Sequence, residues 1–131
     1  MSTRKHLEPG PAHPITVTPT DGEVVVRVGD TVVARTTSAL TLQEADYPPV
    51  QYVPLADVAP DVLQPSGTRT WCPYKGEASY WSVSVDGTDL PDSAWGYPDA
   101  SPAVVRIAGH VAFYPDRCPS PSGEQRPAGF R

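Results

Sequence analysis

The chain has 131 residues, enough for one domain with its own core, which would bury roughly two-thirds of the surface exposed when unfolded, and too few for a second. Its net charge is −5, and its ten basic residues are scattered from Arg4 to Arg131 rather than gathered in a stripe, so a nucleic-acid backbone is a poor partner. No stretch approaches the ~20 apolar residues of a membrane span, and no apolar run of signal-peptide length follows "MSTRKHLEPGPAHP", so a cytoplasmic protein without a membrane partner is expected.

The seventeen prolines cluster at 9–14, 48–49 and 119–127. Proline lacks a backbone donor and breaks helix interiors, so long helices have almost nowhere to form. The end clusters carry little apolar residue, and residues 1–20 and 118–131 read as disordered Pro-rich tails around a body spanning 21–117. Two cysteines, Cys72 and Cys118, do not make a disulfide scaffold, and both are expected as thiols.

The body opens with "GEVVVRVGDTVVARTT", a valine-rich hairpin turning at Gly29-Asp30, with Val24, Val26 and Val28 on one face. "ALTLQEA" and the turn-forming "DYPPV" follow, then a brief strand at "QYVP". "LADVAPDVLQPS" has room for one or two helical turns, bracketed by Pro60 and Pro65. Asp86-Gly87 marks a second hairpin, "SPAVVRIAG" reads as a two-turn helix capped by Ser101 and ended by Gly109, and "HVAFYP" closes the body as a strand. Short strands separated by turn signals imply a mainly β fold, a single domain of curled antiparallel sheets with one or two short helices.

The segment "TRTWCPYKGEASYWSV" (68–83) concentrates aromatics, a cysteine and charges. Extended backbone over 68–72 places Arg69 and Trp71 on one face and Thr68, Thr70 and Cys72 on the other. Pro73 suits a turn with Gly76 at its exit. Beyond it, Trp81, Val83 and Val85 read as core, while Ala78, Tyr80, Ser82 and Ser84 suit a solvated groove. Two readings stand: a concave site walled by Tyr80 and Trp71 with Arg69 and Lys75 as anchors for an anion, or a hairpin whose rings hold a small domain together.

Cys72 lies near Arg69 and Lys75, and cations favour the nucleophilic thiolate, but strand parity turns Arg69 away and a buried inert thiol is the expectation. There is no Cys-x-x-Cys pair, no His-x-x-x-His spacing and no glycine-rich phosphate loop, so no metal ligand set and no cofactor is implied. Asp86 and Asp89 in "DGTD" are explained by the turn.

The motif order "YPPVQYVPLADV", "TRTWCPYKGEASYWSV", "SAWGYPDASP" and "IAGHVAFYPDR" resembles the domain-of-unknown-function family DUF427 from about residue 21 to 117. The resemblance implies a small mainly β protein with curled sheets of the β-tent type, similar to Mss4-like folds, and the missing cysteine pairs mean that zinc does not carry over. The family also has a nucleotidyltransferase-like label, yet the carboxylates that would hold divalent ions beside phosphates have no convincing pair here. Its motifs single out Tyr47, Tyr52, Cys72, Lys75, Tyr80, Trp95, Tyr97 and Tyr114, which join Arg69 and Trp71 as ligand-binding candidates. The leading expectation is a binding protein or small enzyme for an anionic small molecule. An interaction module using an exposed aromatic patch or strand edge, a thiol activity at Cys72 and a homodimer through unpaired edges are the alternatives.

Overall fold

The computed structural model describes residues 5–114. The valine runs Val24–Val28 (β2) and Thr31–Thr36 (β3) pair as the expected hairpin across Gly29-Asp30. The other strands form one antiparallel sheet: Ile15–Pro19 (β1), Leu40–Glu44 (β4), Val50–Pro54 (β5), Leu63–Cys72 (β6), Gly76–Val85 (β7), Thr88–Gly96 (β8) and His110–Phe113 (β9). Its seven strands run in the order β1-β4-β5-β9-β8-β7-β6. The mainly β, single-domain expectation therefore holds for the described residues, and no closed barrel forms because β1 and β6 remain as edges.

Side chains alternate across a strand, and the middle strands use both sets. On one face Val53, Val83, Val85, Ala94, Val111 and Phe113 pack under the β2–β3 hairpin, which contributes Val24, Val26 and Val33. On the other, Leu42, Tyr52, Ala78, Trp95 and Ala112 pack with Val104 and Ile107 from the short helix after β8. Tyr52 and Val53, Trp95 and Ala94, and Ala112 and Val111 are thus neighbours in sequence that serve opposite cores.

The turn at Asp86-Gly87 has both residues at positive φ, 51° and 81°, whose twist matches the flanking β7 and β8. Pro65 lies inside β6, where an edge strand tolerates the missing donor, and the pairing with β7 slips between Pro65 and Arg69. Trp81, expected as core, is half-buried against the first cluster.

Two expectations differ. The tail drawn over 1–20 contains β1, which pairs Ile15 with Glu44 and Pro19 with Leu40, so alternating Ile15 and Val17 outweigh the surrounding prolines. The helix over Ser101–Gly109 is a 3-10 segment, Pro102–Ile107, broken at Val104 (φ −127°, ψ 25°), and the Ser101 side chain makes no capping bond. The one or two helical turns expected in 55–66 are met by a single 3-10 turn, Leu55–Asp57, and β6 begins at Leu63. The tail expected at 118–131, with Cys118, lies outside the described residues.

Gly96 tests the seam between β8 and β9. A Cβ there would lie 2.6 Å from the His110 carbonyl oxygen and 3.3 Å from the Trp81 ring. Gly96→Ala should therefore lose about 1–3 kcal/mol of stability by forcing the seam apart, read by urea denaturation.

Candidate functional site

The second face is not filled evenly. Large rings stand around a concavity of about 270 Å³, lined by Leu42 and Val50 of β4 and β5, Tyr52, Thr70 and Cys72 of β6, Tyr80 of β7, Trp95, Tyr97 and Tyr114. Tyr80 lies opposite Trp95 across the β7–β8 ladder, and Trp95 lies opposite Ala112 of β9. The short Ala112 side chain leaves Trp95 room to meet Tyr52 edge-on, with centroids 6.4 Å apart, and to lean on Tyr114 at 4.5 Å. The Trp95 indole N–H donates to the Tyr52 oxygen. Tyr47 and Pro48 form part of the rim on the β4–β5 turn, whose carbonyls at Ala45 and Tyr47 accept from the Gln43 amide.

Lys75 enters from the turn between β6 and β7. Gly76 holds a φ of +110° there, and a Cβ on it would press on the Asp99 carbonyl oxygen at 3.1 Å. The Ser101 N–H donates to the Lys75 carbonyl at 2.9 Å, so the turn is clamped against the segment after Tyr97. The clamp brings the Lys75 Nζ to 5.6 Å from the Tyr97 ring centre and 2.7 Å from Glu44 Oε1.

Glu44 is the charged hinge of the site. Its Oε2 accepts from His13 Nε2 at 2.8 Å, the His13 ring stacks on Tyr74 at 4.1 Å, and only 14% of the Glu44 and Lys75 side chains is exposed. Burial pushes the Glu44 carboxyl up, but the hydrogen bonds and charges of Lys75 and His13 outweigh it and hold the group below its ordinary range. The segment bearing His13 straps over the same turn: the Leu7 N–H donates to the Pro73 carbonyl, and the Trp71 indole donates to the Lys5 carbonyl.

Burial is the main reason that the phenols of Tyr52 and Tyr97 sit well above their ordinary value of 10. For Tyr52 the Trp95 hydrogen bond offsets part of this rise. Both therefore keep their protons at any physiological pH and remain available as donors.

Of the residues singled out in the sequence, Tyr47, Tyr52, Cys72, Lys75, Tyr80, Trp95, Tyr97 and Tyr114 border this concavity. Arg69 and Trp71 do not. Both lie on the opposite side of β6 from Thr70 and Cys72, and Arg69 Nη1 donates to the Ser66 and Thr68 carbonyls of its own strand's irregularity. The expected pair of cationic anchors is thus reduced to Lys75. Cys72, expected as buried, is half-buried on the cavity wall.

A family model described as a domain of unknown function (DUF427) matches residues 16–120. The chain belongs to the DUF427 family. The match begins within β1, which the motif order alone had left outside the body. Among curated proteins nothing matches the chain. No helix among the described residues is long and apolar enough to cross a membrane.

Glu44 was missed because its partners His13 and Lys75 each stand 31 positions away, and no local spacing announces such a triad. Because its carboxyl is depressed in the folded state, its stabilising contribution is complete above its unfolded value near 4.5 and disappears as pH falls through the lower folded value. Wild type should therefore lose more stability than Glu44→Gln when pH is lowered from about 6 to below the carboxylate range. At pH 7 the same substitution should cost about 1–3 kcal/mol, measured by chemical denaturation.

Proposed function

We infer that this DUF427 protein binds a small anionic molecule in the aromatic concavity, with Lys75 meeting its charged end. The supporting observation is the junction of one clamped lysine with Trp95, Tyr80 and Tyr114 around a single space. At about 270 Å³ that space lies just below the range of drug-sized sites, which favours a small, flat metabolite. Aromatic faces supply apolar contact for a ring, and the phenols and Thr70 supply hydrogen bonds that orient it.

Binding is favoured over proton-transfer catalysis. Glu44 has both oxygens engaged and its carboxyl is held low, a poor arrangement for a general base near neutral pH. Nucleotidyl transfer has weaker support still. It calls for carboxylates that hold divalent ions, and among the described residues no group of three or more His, Cys, Asp or Glu side chains has metal-holding geometry.

A thermal-shift screen of small organic acids, sugar phosphates and nucleotides tests this reading. A compound at a hundred times its dissociation constant adds about 2.7 kcal/mol and raises the melting temperature by several degrees. The shift should survive in Arg69→Ala and vanish in the Glu44→Gln, Lys75→Met double variant, which removes both charges without stranding a carboxylate. Absence of any shift in folded wild type, or a shift lost in Arg69→Ala but kept in the double variant, would overturn the reading.

A further inference from the structure

Tyr97 stands apart from the other phenols of the site. Its side chain is about nine-tenths buried, with 6% of the residue exposed, and it lines the concavity. Among the described residues its hydroxyl has no hydrogen-bond partner, whereas the Tyr52 oxygen accepts from Trp95 and the Tyr80 hydroxyl bonds Thr70 Oγ1 at 3.0 Å. Tyr52, Cys72, Tyr80 and Glu44 border the same concavity as the Tyr97 side chain. The Tyr97 side chain is thus part of the wall that a ligand would meet. The oxygen is not sealed from solvent, since among the described residues the fully buried polar atom left without a partner is Arg27 Nε, so a bound acceptor would take the place of water on this hydroxyl.

The charge around that donor restricts the acceptor. Lys75 is the cation on the wall, and Glu44 at 2.7 Å cancels most of its field. A dianionic phosphate placed here would share one ammonium with a carboxylate and meet no second cation, since Arg69 bonds back onto β6. A carboxylate carries a single charge and two coplanar oxygens, one for the Lys75 ammonium and one for the Tyr97 hydroxyl. The ammonium lies 5.6 Å from the centre of the Tyr97 ring, so both donors border one small region. Trp95 and Tyr114, with centroids 4.5 Å apart, wall the space where the rest of the molecule would lie.

We propose that the pocket takes a small planar aromatic or unsaturated monocarboxylate, seated with one carboxylate oxygen on the Tyr97 hydroxyl and the other on the Lys75 ammonium. This rests on the binding reading above and adds to it the class of the head group and the residue that selects it. Raised by burial, the phenol stays a donor across the pH range in which the ligand is ionised.

Isothermal titration with benzoate, 4-hydroxybenzoate and indole-3-carboxylate, with phenyl phosphate as comparator, tests the proposal on the full chain and on Tyr97→Phe. At least one carboxylate should bind wild type more tightly than phenyl phosphate, and Tyr97→Phe should weaken it by about tenfold or more, the effect of losing one charge-assisted hydrogen bond. Thermal melting separates this from a structural role. A hydroxyl without a protein partner can be deleted without loss, so Tyr97→Phe should melt no lower than wild type.

Equal carboxylate binding by wild type and Tyr97→Phe would overturn the seat while leaving the pocket reading intact. So would phenyl phosphate binding more tightly than every carboxylate, or a lower melting temperature in the variant. Failure of all four probes to bind folded wild type would overturn the proposal and the binding reading together.

Discussion

A sheet covered on both faces has to supply apolar side chains at successive positions of its middle strands, and β5, β9 and β8 meet that demand. Val53, Val111 and Ala94 turn toward the β2–β3 hairpin, while Tyr52, Ala112 and Trp95 turn the other way. The small residues are as necessary as the large ones. Gly96 lets the His110 carbonyl approach closer than any Cβ would permit, and Ala112 leaves room in which Tyr52 and Trp95 meet. Moving a strand by one residue would exchange its two sets and ruin both cores at once, which makes the register the constraint on which the site depends.

The hairpin side is closed mainly by valines and alanines, and the buried Thr36 hydroxyl there donates to Asp57. The opposite side is closed by tyrosines, a tryptophan and the broken 3-10 segment, whose bulk and hydroxyls do not interlock to full density. The concavity is the consequence. Its charged end is built from three distant pieces: Glu44 at the end of β4, Lys75 in the turn clamped by Ser101, and His13 from the strap that crosses that turn. Each charge is tolerable at 14% exposure because the other is present, so the pair also fixes where the strap and the turn lie.

Much of the architecture was legible in the sequence. Valine density and Gly29-Asp30 announced β2 and β3, Asp86-Gly87 announced the β7–β8 turn, and parity correctly separated Thr70 and Cys72 from Arg69 and Trp71. The same parity, followed through, would have removed Arg69 and Trp71 from the candidate site. Ile15 and Val17 were hidden by neighbouring prolines, although proline is no obstacle at an edge strand such as β1, where one row of backbone donors needs no partner.

The sequence by itself determined the class of fold, the family and most of the cavity wall, because alternation, turn chemistry and ordered aromatic motifs are local properties of the chain. Only the tertiary structure decided which cation meets which carboxylate and which phenol is left with its hydroxyl uncommitted. Those relations join His13, Glu44, Lys75 and Tyr97 across strands that are neighbours only after the sheet has formed, and side-chain pairing over such separations leaves no periodic trace in the chain.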